Sequence, residues 1–345
     1  MLLRIFCIIF VIVISTVSVC ALDPVEMSAE CAVVMDADTG RVLFEKNAHC
    51  AHSMASTTKI MTSLLAVESG RLNESFVVTD KMVNVEGTSM GLKAGDSVTL
   101  KDLVCGMLLS SGNDAANATA IYIGGTYNYF AFKMNERAKQ IGMNDTNFVT
   151  PSGLDDKNHY STAYDMALLG CAAVKNRIFL SVCSAQKVKL SFGEPAYERY
   201  LYNHNKLLGS YDGALGIKTG FTKKSGRCLV SFAKRNGVSL VAVTLNDPDD
   251  WNEHKRMLDY GFEQSKLKAF SVNIPETVNV VGGNADYVRL NAVSYNSTAQ
   301  ELEFKVYMHK FLYSPVSAGT EVGYVNVICD GKIIDVLPVT TAENA

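Results

Sequence analysis

The stretch Ala55-Ser56-Thr57-Thr58-Lys59-Ile60-Met61-Thr62 decides how the rest of this 345-residue sequence is interpreted. A helix is predicted after Ser56, because no proline interrupts the following residues and Gly70 offers a C-terminal stop. Apolar side chains recur along it at Ile60, Met61, Leu64, Leu65 and Val67. Residues three apart lie on one side of a helix, so Lys59 is expected one turn beyond Ser56 on the same side.

A serine and a lysine in this arrangement can perform nucleophilic catalysis. Free backbone N–H groups at the start of the helix could stabilise an oxyanion beside the Ser56 hydroxyl. Lys59 could accept the hydroxyl proton if its amine were neutral, and burial together with a second nearby cation would lower its pKa toward that state. Serine and lysine are common residues, so this pair alone does not indicate a catalytic site.

Two further motifs change that interpretation. Ser111-Gly112-Asn113 follows a helix-like run, and Lys218-Thr219-Gly220 lies in a strand-like run. Taken alone, the first is an ordinary loop and the second an ordinary strand end. Together with Ser56 and Lys59 they give the order S-x-x-K, S-x-N, K-T-G of the serine penicillin-recognising enzymes. Three short motifs in one order are far more specific than any one of them.

The sequence resembles the serine-type D-alanyl-D-alanine carboxypeptidases among the low-molecular-mass penicillin-binding proteins. The resemblance runs from about residue 32 to residue 262 and continues more weakly to the end. Further blocks that carry it are Met35-Asp36-Ala37-Asp38-Thr39-Gly40, Asn113-Asp114-Ala115-Ala116, Thr150-Pro151-Ser152-Gly153-Leu154, His159-Tyr160-Ser161-Thr162-Ala163 and Gly216-Ile217-Lys218-Thr219-Gly220-Phe221-Thr222. It implies an α/β (α+β) fold, in which a penicillin-recognising transpeptidase/β-lactamase-like domain precedes a small all-β domain.

The resemblance also implies an acyl transfer through a covalent intermediate. Ser56 would attack the carbonyl between the two terminal D-alanines of a peptidoglycan stem peptide, and Lys59 would accept its proton. Ser111 would relay that proton to the leaving amine. β-Lactams would acylate the same serine and act as inhibitors. No metal or organic cofactor is needed.

The remaining site residues are assigned to substrate binding by the same resemblance. Asn113 would bind the side of the substrate chain. Thr219 and Lys218 would hold the terminal carboxylate, while Lys218 would also keep Lys59 neutral. The backbone N–H groups of Ser56 and Phe221 would form the oxyanion hole, with Phe221 contributing from the strand edge, and Gly220 is assigned to substrate binding with the rest of the third motif.

Composition and the N-terminus indicate an exported protein. The formal net charge of −3 and the lack of a basic run give no indication of nucleic-acid binding. Arg4 precedes an apolar run over residues 5–14, and Val19-Cys20-Ala21 is a plausible cleavage site, so residues 1–21 are predicted to be a signal peptide. An uncleaved anchor stays open, as does a lipoprotein at Cys20, although Val19 disfavours the lipoprotein.

Of nine cysteines, seven follow the leader at irregular spacings without a C-x-x-C pattern. Neither a metal site nor a regular disulfide framework follows from them. Most are expected to be buried small hydrophobes. One disulfide remains open outside the cytoplasm.

The predicted elements divide the mature chain into a catalytic domain (22–264) and a C-terminal β-rich domain (265–345). A β-hairpin is predicted around residues 36–40, and three strands over 215–220, 227–233 and 238–245. Predicted helices cover 100–109, 115–122, 127–141, 251–262 and a segment that Thr162 and Asp165 are spaced to cap as a capping box. The result is an antiparallel sheet formed by the two ends of the domain, with a helical subdomain inserted between.

The C-terminal region is strand-like over residues 278–281, 287–293, 301–308 and 322–339, and Asp330-Gly331 is a hairpin signal. Many members of the resembled family end in an amphipathic membrane-binding helix. The segment Thr341-Ala342-Glu343-Asn344-Ala345 has no apolar face, which leaves peripheral membrane or cell-wall association open.

Other functions share parts of this sequence pattern. A β-lactamase of the same fold would use a glutamate to position water, whereas the segment between Thr146 and Thr162 contains Asp155 and Asp156 but no glutamate. A non-catalytic penicillin-binding sensor or scaffold would accumulate the acyl-enzyme. Transpeptidase or endopeptidase action is not excluded, because it depends on loop shape. His159 and Arg227 are predicted to be structural, the arginine through a salt bridge.

Overall fold

A computed structural model describes residues 27–345 of the chain. The predicted signal peptide, its cleavage site and the first residues of the predicted catalytic domain (22–26) lie outside the described residues.

A five-stranded antiparallel sheet forms the centre of the catalytic region. The strand order is β2-β1-β9-β8-β7, so the first hairpin pairs with the last strand and β7 lies at the edge. These strands are β1 (Cys31–Asp36), β2 (Val42–Lys46), β7 (Ala214–Thr222), β8 (Gly226–Arg235) and β9 (Val238–Leu245). The predicted hairpin and the predicted sheet of chain ends are confirmed.

Both faces of this sheet are covered, which explains why β1 and β9 are buried at every position and are mostly apolar. On β1, Val33 and Met35 join the larger core with most of the helices, while Ala32 and Val34 join a second core against the last helix. Alternate residues of a strand point to opposite faces, so one strand contributes to both cores. The helices are α1 (Lys59–Glu68), α2 (Asp80–Val83), α3 (Leu100–Leu108), α4 (Asn113–Gly124), α5 (Tyr127–Ile141), α6 (Ala163–Val174), α7 (Arg177–Cys183) and α8 (Asp250–Gln264).

The helices follow the local sequence signals closely, with two differences at their starts. Thr162 caps α6 by accepting from Asp165 N at 3.0 Å. The predicted capping box is only half formed, since the Asp165 carboxylate instead accepts from Asp145 N and Thr146 Oγ1. The first turn of the nucleophile helix, Ala55–Thr58, is a 3₁₀ turn that continues into α1.

Two elements were not predicted from the sequence, namely α7 and the hairpin of β5 (Lys187–Gly193) and β6 (Ala196–Tyr202). That hairpin is hard to detect because only alternate residues on one face, such as Leu190 and Phe192, are buried, while charged and tyrosine side chains cover the other. A further two-stranded sheet pairs β3 (Ser75–Val77) with β4 (Ser97–Thr99).

The C-terminal region is all-β and contains two small apolar cores of its own. The Asp330-Gly331 turn joins its two longest strands, as predicted. The predicted strand over residues 287–293 is shorter, ending at Arg289. The strands are β10 (Lys268–Ser271), β11 (Thr277–Val281), β12 (Tyr287–Arg289), β13 (Ser294–Ser297), β14 (Glu303–Met308), β15 (Phe311–Tyr313), β16 (Glu321–Cys329) and β17 (Lys332–Thr340).

All seven cysteines after the leader are free thiols, and all except Cys50 are buried, which confirms the prediction that most are small core residues. Within residues 27–345, no single helix has the length and apolar composition to span a membrane. In these residues, α6 and α7 have that length and composition only when they are taken together, and the pair is bent by 107°.

Candidate active site

The three motifs converge on one cleft from three different elements. Ser56 lies in the 3₁₀ turn before α1, Ser111 lies in the connection between α3 and α4, and Thr219 lies on the edge strand β7. The cleft has a volume of about 410 Å³. Its lining includes Ser56, Ser111, Asn113, Thr219, Gly220 and Phe221 among the predicted residues, but not the buried Lys59 and Lys218.

Lys59 lies directly behind Ser56. Its Nζ atom is 2.9 Å from Ser56 Oγ, 2.6 Å from Asn113 Oδ1 and 2.7 Å from the Ser152 carbonyl oxygen. The side chain is fully buried. The Ser152 carbonyl was not singled out from the sequence, because a backbone acceptor has no residue-type signal.

The surroundings of Lys59 favour a neutral amine. Its pKa is held well below the ordinary value, first by burial and then by the charge of Lys218, while Asp114 acts in the opposite direction. A neutral amine has two N–H bonds and one lone pair. Asn113 Oδ1 and the Ser152 carbonyl can only accept hydrogen bonds, so they take both N–H bonds and leave the lone pair facing the Ser56 hydroxyl.

Gly220 allows β7 to approach the nucleophile. A Cβ atom there would lie 3.1 Å from each of Met54 O, Ser56 N and Thr57 N. Since β7 is an edge strand, the backbone groups that do not pair with β8 face the cleft. Ser56 N therefore lies beside Gly220, one residue before Phe221, so the two residues predicted to form the oxyanion hole come from adjoining segments.

The second motif, Ser111-Gly112-Asn113, is held in place by hydrogen bonds to a loop that precedes it in the chain. Ser111 has φ of 59°, in the left-handed region that costs a serine on the order of 1–3 kcal/mol. Its carbonyl accepts from Thr88 Oγ1 at 2.6 Å, and Thr88 O accepts from Asn113 N at 2.7 Å. The Asn113 amide donates to Glu86 O at 2.7 Å, so both ends of that side chain are engaged within the protein.

Lys218 and Arg227 differ in how they can meet an anion. Lys218 is 1% exposed, burial lowers its pKa to about 7, and its Nζ donates to Thr219 O at 2.8 Å. Arg227 lies directly across from Phe221 in the β7–β8 pair and lines the cleft. The predicted salt bridge is present, since its Nη2 donates to both carboxylate oxygens of Asp250 at 2.8 and 2.9 Å.

His159 supports the nucleophile turn from behind. Its Nδ1 accepts from Val149 N at 2.9 Å, so its Nε2 is left to donate to Thr58 Oγ1 at 2.8 Å. Thr58 Oγ1 in turn donates to Ala55 O at 2.8 Å. Burial lowers the pKa of His159 to about 4. It is thus a neutral, hydrogen-bonded histidine bound to Thr58, which agrees with the structural role predicted for it.

Among the described residues there is no group of three or more His, Cys, Asp or Glu side chains that could hold a metal ion.

Two family models match the chain. One, described as D-alanyl-D-alanine carboxypeptidase, covers residues 18–249, and the other, described as penicillin-binding protein 5, C-terminal domain, covers residues 262–345. The D-alanyl-D-alanine carboxypeptidase DacC of Escherichia coli is 31% identical over 344 residues, which is 92% of this chain and 84% of that protein.

Solved structures give the same result. The crystal structure of the D-alanyl-D-alanine carboxypeptidase DacD from Francisella tularensis matches with a TM-score of 0.66 and 27% identity, covering 93% of this chain and 94% of that one. A mutant of the Streptomyces K15 DD-transpeptidase matches with a TM-score of 0.66 and 28% identity, covering 69% of this chain and 98% of that one.

Proposed function

The chain belongs to the D-alanyl-D-alanine carboxypeptidase family, and we propose that Ser56 is the nucleophile with which it removes the terminal D-alanine from peptidoglycan stem pentapeptides. The enzyme is a serine hydrolase that works through an acyl-serine intermediate and is acylated by penicillin. The observation that carries the assignment of Ser56 is the position of Lys59, with its two N–H bonds directed to acceptors and its lone pair toward Ser56.

In the acylation step, Lys59 Nζ takes the hydroxyl proton as Ser56 Oγ bonds to the carbonyl carbon of the penultimate D-alanine. The oxyanion that forms accepts hydrogen bonds from the N–H groups of Ser56 and Phe221. The C–N bond then breaks. The proton passes through the Ser111 hydroxyl to the amine of the departing D-alanine, which leaves Lys59 neutral again.

In the deacylation step, water attacks the ester carbonyl and gives its proton to Lys59. The bond between Ser56 Oγ and the carbonyl carbon breaks, and the proton returns to Ser56 Oγ. A general base of this kind contributes typically 10²–10⁴-fold to a rate.

The terminal carboxylate is recognised by Thr219 and Arg227. Lys218 is buried directly behind Thr219, with its Nζ 2.8 Å from Thr219 O and 3.4 Å from Thr219 Oγ1, so it acts on the carboxylate by its charge and through Thr219, as well as on Lys59. Arg227 uses Nη2 for Asp250 and keeps further N–H groups for a second anion. The guanidinium is permanently charged, unlike the amine of Lys218.

We divide the chain into a catalytic unit at 22–264 and a β-rich unit at 265–345. Two observations support this division: α8 ends at Gln264, and the residues before and after that point form separate apolar cores. Because the substrate is peptidoglycan, the enzyme acts in the extracytoplasmic cell envelope. Export through a signal peptide over residues 1–21 accounts for that location. Peripheral association with the membrane or cell wall stays a prediction, which cell fractionation would test.

Transpeptidation is the second candidate, because a structural neighbour of similar catalytic fold is named a DD-transpeptidase. An amine would then replace water as the acceptor. A β-lactamase or a non-catalytic sensor has no comparable support among the proteins described above.

Release of free D-alanine from a tripeptide ending in D-Ala-D-Ala tests the proposal, with the Ser56→Ala protein as the comparison. We expect release and penicillin labelling from the parent and neither from the variant. Ser63→Ala is a matched control, because this serine is buried on α1 and contacts Met107 Sδ rather than the cleft. Penicillin labelling without D-alanine release would favour the transpeptidase. Labelling of Ser56→Ala at the parent's rate would refute the nucleophile.

A further inference from the structure

Asp114 is a buried carboxylate that the proposed reaction does not use. It lies in the first turn of α4, directly after Asn113, and is 1% exposed. Its Oδ1 accepts from Met90 N at 2.9 Å and Ala115 N at 2.8 Å. Its Oδ2 accepts from the Ser89 hydroxyl and from the backbone N–H groups of residues 91 and 92, at 3.1 and 3.0 Å.

Four of these five donors belong to one segment, residues 84–92, which we call the cleft loop. The other side of the cleft loop holds the second motif. Thr88 bonds to the backbone of Ser111 and of Asn113, and Glu86 O accepts from the Asn113 amide. Gly87 and Thr88 line the cleft. The loop is exposed over residues 86–89, and its end joins the larger core through Met90 and Leu92, so these hydrogen bonds hold the exposed part in place.

We propose that Asp114 is a positioning residue for the acyl transfer, whose carboxylate holds the cleft loop against Ser111 and Asn113 and places a negative charge one residue from the Asn113 amide that contacts Lys59 Nζ. The inference rests on the function proposed above. The chain of contacts is continuous, from Asp114 to the cleft loop, from the loop to the Asn113 amide, and from Asn113 Oδ1 to Lys59 Nζ.

The charge of Asp114 affects the pKa of Lys59, the general base. Two charged groups act on Lys59, with Lys218 on β7 lowering its pKa and Asp114 on α4 raising it. On the far side of the cleft loop, Arg199 of β6 donates to Gly91 O at 2.6 Å and lies 3.6 Å from Asp96, so that cation is already paired. Neutralising Asp114 therefore leaves Lys218 unopposed at Lys59.

The test measures the rate of penicillin acylation against pH, with hydrogen exchange of the cleft loop, in Asp114→Asn and Ser89→Ala. Asp114→Asn removes the charge and presents an amide to the N–H groups of residues 91 and 92. We expect its maximal rate to fall by about 10²-fold, as misplacement of about 1 Å can cause. The acid limb of its profile should move to lower pH, and its loop amides should exchange faster.

Ser89→Ala removes one loop contact and leaves the charge. We expect a smaller loss of rate, faster loop exchange and no movement of the acid limb. Asp102→Asn is the matched control, since that carboxylate caps α3 by accepting from Thr99 N at 2.9 Å and Thr99 Oγ1 at 2.6 Å. It should change stability without moving either the rate or the limb.

An Asp114→Asn enzyme with the parent's rate and loop exchange overturns the positioning role, and one with the parent's acid limb overturns the charge role. If Asp114→Asn does not fold, Ser89→Ala decides, because unchanged loop exchange and rate in that variant contradict the inference. If the parent itself is not acylated, the proposed function fails and the inference fails with it.

Discussion

Three basic side chains near the nucleophile differ in burial and therefore in their roles. Lys59 and Lys218 are both buried, and burial lowers the pKa of each. Arg227 is partly exposed and keeps its charge at any pH of interest. A buried amine that can lose its proton suits a general base, whereas a permanent cation in the cleft suits the recognition of an anion. Burial or exposure of each side chain therefore distinguishes the general base from the residue that recognises the anion.

The role of Arg227 gives a prediction at this scale. Arg227→Gln should raise KM for a peptide ending in D-Ala-D-Ala by about 10²-fold, because a hydrogen bond to a charged group contributes about 1.5–3 kcal/mol. A peptide with an amidated C-terminus lacks the anion, so its KM should be the same for parent and variant. Steady-state kinetics on both peptides measures the difference.

Lys206 supplies the control for that experiment, since it is an exposed cation at another part of the cleft lining. Lys206→Gln should keep the parent's preference for the free carboxylate. If Arg227→Gln also keeps it, Arg227 serves only its salt bridge with Asp250.

Among the elements, β7 and the 3₁₀ turn must approach each other closely, and Gly220 makes this possible. Gly220→Ala should reduce penicillin acylation by about 10-fold, because the new Cβ would press on Ser56 N and shift the oxyanion donors by a few tenths of an ångström, whereas a misplacement of about 1 Å can cost about 10²-fold. The acylation rate measured well below the melting temperature checks this.

Gly261→Ala on α8 is the matched control, since its Cβ would meet Leu240 Cδ1 at 2.8 Å, away from the cleft. That change should lower the melting temperature and leave the acylation rate alone. Equal rates in the two variants would mean that the close approach of β7 does not matter for the reaction.

Helices and strands with a clear local sequence signal could be predicted. The backbone contacts that hold the catalytic residues in place could not. The helix Tyr127–Ile141 has both of its predicted ends, since Thr126 caps it and Gly142 ends it in the left-handed conformation. The order of three motifs was enough to bring Ser56, Ser111 and Thr219 to one cleft. The Ser152 carbonyl and the cleft loop have no residue-type signature, because backbone groups of irregular segments make their contacts.

At the scale of the whole molecule, the site is built at the junction of a rigid sheet and an inserted helical region. The sheet holds β7 through its one neighbour, β8, and the three strands beyond it, whereas the helical region supplies Ser111, Asn113 and the cleft loop. The two buried lysines lie between these halves with no carboxylate bonded to either Nζ among the hydrogen bonds of residues 27–345. Folding must therefore desolvate two amines for the sake of the reaction, which is a cost to stability.

That cost predicts how stability depends on pH. The folded-state pKa of each lysine lies below its unfolded value of 10.5, so the unfolded state binds more protons and the free energy of unfolding rises with pH. For Lys218 the rise begins near its folded pKa of about 7. Buried thiols such as Cys105, with a pKa raised to about 11, oppose this rise only above the ordinary thiol pKa of 9.0. Urea unfolding between pH 7 and 8.5 should show a slope of up to about 1.4 kcal/mol per pH unit for each lysine.

Replacing the buried amine separates this effect from other titrations. Lys218→Met should raise the free energy of unfolding at pH 7 and reduce the slope, because the methionine fills the same space without a charge to desolvate. Lys101→Met, which changes an exposed lysine of α3, should leave the slope as it is in the parent. A parent whose stability is flat or falling over this range, or a Lys218→Met slope equal to the parent's, would show that the buried lysine does not carry the predicted cost.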